Sequence, residues 1–212
     1  MSPTPPADGL VLRVDEIPGG VGIPGRLSLP RFALYGDGTL IVPADTDGAI
    51  PTAQVRHLTK AAVTGLRERA RAAGLDTARS YPSQMPDAPV LVVTFGQART
   101  RITDPERSEV ARAVTVDLDA LEVTGPPTPY SPTTFAVNAS PTSTDSAKVR
   151  PWPLDPLDSG TPLDMGLCTT YPTARLLPVA GPAGLWTDRG TTYRVFIRPL
   201  LPGEPDCAAL SR

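Results

Sequence analysis

The chain has 212 residues, a net charge of −2, 40% hydrophobic residues and 5% aromatics. That is length enough for a substantial core, with no positive field to draw the chain onto nucleic acid or an anionic membrane. No apolar run approaches the roughly 18 residues of a bilayer span, and the 27 prolines, more than twice the usual share of about 5%, fall mostly between apolar runs and predict many rigid loops.

Residues 1–8 (MSPTPPAD) are polar and proline-rich and are expected to form a disordered tether. They hold no hydrophobic leader, so the chain reads either as cytosolic or as an exported protein whose signal has been removed. The tether-like opening favours export. Leu10–Asp15 is predicted as a strand with Leu10, Leu12 and Val14 on one face. Gly19–Gly25 follows as a glycine-rich loop. Arg31–Tyr35 and Thr39–Val42 flank Gly36-Asp37-Gly38 as a hairpin, and Ala53–Leu58 reads as a fourth strand.

Thr59 offers an N-cap, Leu58 and Val63 a hydrophobic staple, and Gly74 a stop, which predicts a helix over Lys60–Ala73. Val63, Leu66, Ala70 and Ala73 form its apolar stripe, with Arg67, Glu68 and Arg71 on the other side. A second hairpin joins Val90–Phe95 to Arg99–Thr103. Asp104-Pro105 then reads as an N-cap and first turn, opening a second helix whose stripe Val110, Val114, Leu118 and Leu121 runs to about Leu121. These elements predict an α+β fold: residues 9–124 as an antiparallel sheet covered by two helices. Residues 125–129, with three prolines, read as a linker. Residues 130–212 read as a smaller, proline-rich, mainly β subdomain with one disulfide. Its strands are expected at Thr133–Asn138 and Thr192–Ile197, with Pro141–Pro162 a long ordered loop.

Most chemical motifs fail on context. Gly20–Gly25 spells G-x-G-x-x-G, but Pro24 and Pro30 interrupt the helix that a dinucleotide site requires. His57 is the only histidine, so no histidine-based zinc site can form, and no G-x-S-x-G elbow supplies it with a nucleophile. Ser146-Ala147-Lys148 lacks the S-x-x-K spacing. Asp45–Gly48 copies half a calcium loop without the closing glutamate. Asp155, Asp158 and Asp164 read as a solvated acidic loop, or alternatively as carboxylates for glycoside hydrolysis or a cation. Asn138-Ala139-Ser140 is a formal glycosylation sequon. Residues 55–112 carry ten basic against six acidic residues, too few aromatics among them for a nucleic-acid platform. No catalytic, cofactor or metal residue is expected.

The two cysteines, Cys168 and Cys207, lie in neither C-x-x-C nor zinc spacing and suit one structural disulfide in an oxidising compartment. Two buried free thiols are the competing reading. The stretch from Cys168 to Thr191 shows little periodicity, so the tail is expected to bury little apolar area and to depend on that clasp. Trp152, set between Pro151 and Pro153 beside Arg150, is a candidate binding anchor if exposed and a core plug if not.

Leu29–Ile41 (LPRFALYGDGTLI) and Arg198–Cys207 (RPLLPGEPDC) resemble segments of a family of actinobacterial exported, lipoprotein-like envelope proteins of unknown function. The resemblance follows most of the chain in order, from first hairpin to cysteine-bearing tail, and its motifs are structural. It implies an extracellular or cell-surface location, a lipid anchor in the native precursor and an envelope protein or ligand as partner. The family's N-terminal lipobox cysteine has no counterpart here, which fits a trimmed precursor. The expected function is a non-enzymatic binding or structural module. The alternatives are a carbohydrate-active hydrolase using carboxylates and a protease-inhibitor-like module presenting Ser140–Pro162.

Overall fold

Strand-forming runs dominate both halves of the chain. The structure, a computed structural model, describes residues 9–19, 27–44, 50–143, 149–178 and 184–211. They fall into two units: residues 9–43 with 53–130, and residues 44, 50–52 and 131–211. The loop at Gly20–Gly25, Asp45–Gly48, Ser146–Lys148 and the tether at 1–8 lie outside the described residues.

In the first unit the alternation of Leu12 and Val14 builds β1 (Leu10–Ile17), which pairs antiparallel with β2 (Phe32–Tyr35) on one side and β6 (Val90–Phe95) on the other. With β3 (Thr39–Ala44), β4 (Thr52–His57), β5 (Ser80–Tyr81), β7 (Ala98–Thr103) and β8 (Thr128–Pro129) the sheet runs β5-β7-β6-β1-β2-β3-β4-β8. The β2–β3 turn works as its sequence requires. Asp37 Oδ1 accepts the Thr39 amide at 2.9 Å, and Gly38 sits at φ 87 where an added Cβ would lie 3.0 Å from the Leu58 carbonyl oxygen. Helix α1 (Lys60–Ala72) starts on the Thr59 cap, whose hydroxyl accepts the Ala62 amide, and buries Val63, Leu66 and Ala70. These residues join Leu12, Val14, Phe32, Leu34, Leu91, Val93 and Ile102 in one apolar core.

The expected antiparallel sheet with two covering helices is not what forms. The chain is mostly β, in two mixed sheets of eight and six strands. In the first, β5 joins β7 in parallel. The second helix shrinks to four residues, α2 (Glu109–Arg112). Its predicted stripe leaves the helix after Val110: Val114 lies in the core, while Val110, Leu118 and Leu121 pack against it. β-Branched Val114, Thr115 and Val116 resist helix, and the Asp117 carboxylate accepts the Asp119 amide in a local turn. Asp104 is no cap either. It adopts φ 58, ψ 61 without a capping hydrogen bond, ahead of a single 3-10 turn at Pro105–Arg107, and Ser108 caps α2 instead.

The second unit is a full sheet rather than a loop-rich appendage. β9 (Thr134–Pro141) pairs antiparallel with β12 (Gly166–Pro172) and β14 (Thr191–Pro199). β10 (Arg150–Pro151), β11 (Thr161–Leu163) and β13 (Gly184–Asp188) complete the order β10-β13-β14-β9-β12-β11, and α3 (Thr173–Leu176) follows β12. The unpatterned stretch after Cys168 thus holds most of β12, α3 and β13; Thr169, Thr170 and Tyr171 favour strand, but too briefly to show a period. Close packing selects Gly166, where a Cβ would come within 2.6 Å of the Ala139 carbonyl oxygen. Within 125–129, Thr128 and Pro129 pair with Val55 and Gln54.

The prolines have a pattern. All four edge strands are three residues or shorter; β8, β10 and β11 contain Pro129, Pro151 and Pro162, and β5 is followed at once by Pro82. Proline has no amide to donate, so each edge is blunted against pairing with another chain.

Candidate functional site

The helical spacing of Thr64, Arg67, Glu68 and Arg71 puts these exposed side chains on one face of α1, away from the core stripe. They form one wall of an open depression of about 660 Å³. The opposite wall is the β6–β7 turn, Phe95 to Ala98, where Gly96 sits at φ 60. Asp76 also lines it. Two arginines, two acidic residues and Gln97 thereby line one depression together with the half-buried Phe95. This set can make directional hydrogen bonds along a polar chain while the ring supplies apolar contact.

A second depression of about 610 Å³ lies between Tyr81–Pro86 and Thr103–Ser108. Asp104 borders it. The positive φ of this residue, immediately before a proline, belongs to a sparsely populated region that costs on the order of 1–3 kcal/mol. The Asp104 side chain is 11% exposed and forms one ion pair among the described residues, to Arg107 Nε at 3.6 Å; Arg107 itself is 76% exposed.

In the second unit Trp152 is a core plug. It is 7% exposed and meets Trp186 edge-to-face at 5.1 Å and Tyr171 at 6.2 Å. The Asp155 carbonyl accepts both the Trp152 indole N–H and the Tyr171 hydroxyl, while the Asp155 carboxylate holds Arg175 through two hydrogen bonds. Arg150 lies over the Trp186 ring at 4.2 Å, a cation–π contact. Burial pushes the Tyr171 hydroxyl above the ordinary tyrosine value; the charges of Asp155 and Asp188 add to this, while Trp152 and Arg175 oppose it. Trp152 and Arg150 therefore share one cluster, centred on a partner, Trp186, that sequence reading did not connect to them.

Cys168 and Cys207 are bonded, with Cα atoms 5.9 Å apart. Beside them Arg198 Nη2 meets Glu204 Oε2 at 2.6 Å with both side chains buried, and Glu204 also accepts the Leu201 amide. The segment Arg198–Cys207 is thus a clasp of one ion pair and one disulfide. Arg198 alternates with Phe196 and Arg194 along β14, yet of the three it alone is fully buried.

Two of the three carboxylates considered for hydrolysis are engaged by arginines. Asp155 is bound to Arg175, and Asp158 lies 3.5 Å from Arg189. Asn138 is fully buried, its amide donating to the Leu163 carbonyl, so the sequon cannot receive a glycan in the folded chain. His57 is exposed at the end of β4. Among the described residues no group of three or more His, Cys, Asp or Glu could hold a metal, and no helix is long and apolar enough to cross a membrane. No family model, no curated protein and no solved structure matches the chain.

Proposed function

We infer that the protein is an exported cell-envelope binding module, without catalysis of its own, that engages an extended glycan through the depression between α1 and the β6–β7 turn. One observation carries the reading: Arg67, Glu68, Arg71, Asp76 and Gln97 line one open depression with Phe95. Charged and amide side chains suit the many hydroxyls of a saccharide, and an open depression admits part of a chain rather than enclosing a small molecule. The disulfide suits an oxidising compartment, and the likeness of Leu29–Ile41 and Arg198–Cys207 to envelope-protein segments supports the same placement.

The test is an amide-resolved NMR titration of the full chain with soluble cell-wall glycan fragments. Shifts should be confined to Thr64–Arg71 and Phe95–Ala98, and replacing Arg67 and Arg71 together by alanine should weaken binding at least tenfold. Absence of shifts in the trough removes the site. Cleavage of any fragment, read by mass spectrometry on the same samples, replaces the binding reading with a hydrolase.

A further inference from the structure

We propose that the depression beside Asp104 is a second binding site, selective for a primary ammonium group such as a lysine-type side chain. It stands on observations separate from the α1 trough. The Asp104 side chain is 11% exposed and its oxygens still touch solvent, so a donor can reach a carboxylate that is partly desolvated. Asp104 caps no helix, and its ion pair with Arg107 spans 3.6 Å, beyond hydrogen-bonding distance, to a side chain that is largely in solvent. The carboxylate thus retains acceptor capacity. It borders a depression with Tyr81, Met85, Pro82 and Pro86 as its apolar part and Ser83, Gln84, Thr103 and Ser108 as its polar part.

An ammonium brings three donors for the carboxylate, and its methylene stem matches the apolar walls. The Tyr81 ring adds a face that attracts cations. A divalent metal is a poorer fit, because calcium takes six to eight oxygen ligands and Asp104 is the only carboxylate lining the depression. Arg107 competes for the same carboxylate from its rim. Asp104 is therefore a binding residue held in place by its backbone: the Asp104 amide donates to the Pro89 carbonyl, and the positive φ turns the chain there.

The experiment uses the full chain and two small molecules, Nα-acetyl-lysine N-methylamide and its norleucine counterpart, followed by backbone amide shifts. The lysine compound should give saturable shifts at Tyr81–Met85 and Thr103–Ser108, and the norleucine compound should not. Asp104→Asn, which tolerates the same backbone region, should weaken binding at least tenfold, and Arg107→Ala should tighten it severalfold. Equal shifts from norleucine, indifference to Asp104→Asn, or the same shifts from magnesium or calcium alone would overturn the assignment. Should Asp104→Asn fail to fold, the Arg107→Ala result with the same pair of compounds decides it. Shifts at Thr64–Arg71 are read separately, so failure of one site leaves the other standing.

Discussion

The two units hold themselves together by different means. Among the described residues the first has the larger apolar core, 18 buried residues against 11 in the second, supplied by aliphatic strands and the inner face of α1. The second compensates with a disulfide, a buried ion pair and stacked aromatics whose polar tips need partners. Of those tips, Trp152 and Tyr171 share the Asp155 carbonyl, while Trp186 Nε1 has no partner among the described residues. A smaller unit buries a smaller share of its chain's surface, so added constraints matter more there. Both tryptophans lie in the second unit, so indole fluorescence reports on it alone, and hydrogen exchange in α1 reports on the first.

The largest loss in the second unit is expected from Glu204→Ala. It removes one carboxylate partner from the Arg198 guanidinium, whose side chain is 0% exposed; losing one member of a buried ion pair costs about 3–5 kcal/mol. Denaturant titration by fluorescence should show the loss in full. Converting Arg198 to Met and Glu204 to Leu together should recover most of it, because the desolvated pair offsets little more than its own burial. If Glu204→Ala shifts the fluorescence midpoint by less than an equivalent of 1 kcal/mol, the ion pair is not a constraint of this unit.

The disulfide comes next. Cys168 and Cys207 are 39 residues apart, and closing a loop of that length is worth on the order of 4 kcal/mol in the chain-entropy model, typically 2–4 in practice. Replacing both cysteines by alanine should lower the fluorescence midpoint accordingly and leave α1 amide protection in place. Equal loss in α1 would mean that the clasp serves the whole chain and that the contrast between units is wrong.

Much of the first unit was legible because its signals are local. Thr59, Leu58, Val63 and Gly74 act within one helix, and Gly36-Asp37-Gly38 acts within one turn, so neighbouring residues suffice to read them. The second helix misled because Val110, Val114, Leu118 and Leu121 are spaced for burial on one side, which an irregular chain crossing a core also satisfies. The second sheet was opaque for another reason: β10, β11 and β13 have two, three and five residues, too few to show alternation, and they exist because distant strands receive them. The sites follow the same rule. The α1 face could be read from Arg67, Glu68 and Arg71, but its opposite wall is more than twenty residues on. Asp104 carried a usable signal in the proline after it and in Ser108, a rival cap four residues later.

The smallest expected effect concerns pH and isolates the aromatic cluster. Tyr171 is 1% exposed, and burial, first among the causes, raises its pKa above the ordinary value. Between the unfolded value near 10 and the higher folded one, the native state binds more protons than the unfolded chain. Stability in that window therefore falls as pH rises; the contribution is fully present below about pH 10 and is lost through the folded pKa. Fluorescence-monitored unfolding between about pH 9 and 11.5 should show the second unit weakening with pH. Tyr171→Phe keeps the ring against Trp152 but loses the hydrogen bond to the Asp155 carbonyl, which lowers stability by about 0.5–1.5 kcal/mol at neutral pH. It should also flatten the alkaline slope, since no hydroxyl remains to ionise. An unchanged slope in Tyr171→Phe would assign the alkaline transition to other groups and remove the buried hydroxyl from the account of what holds this unit.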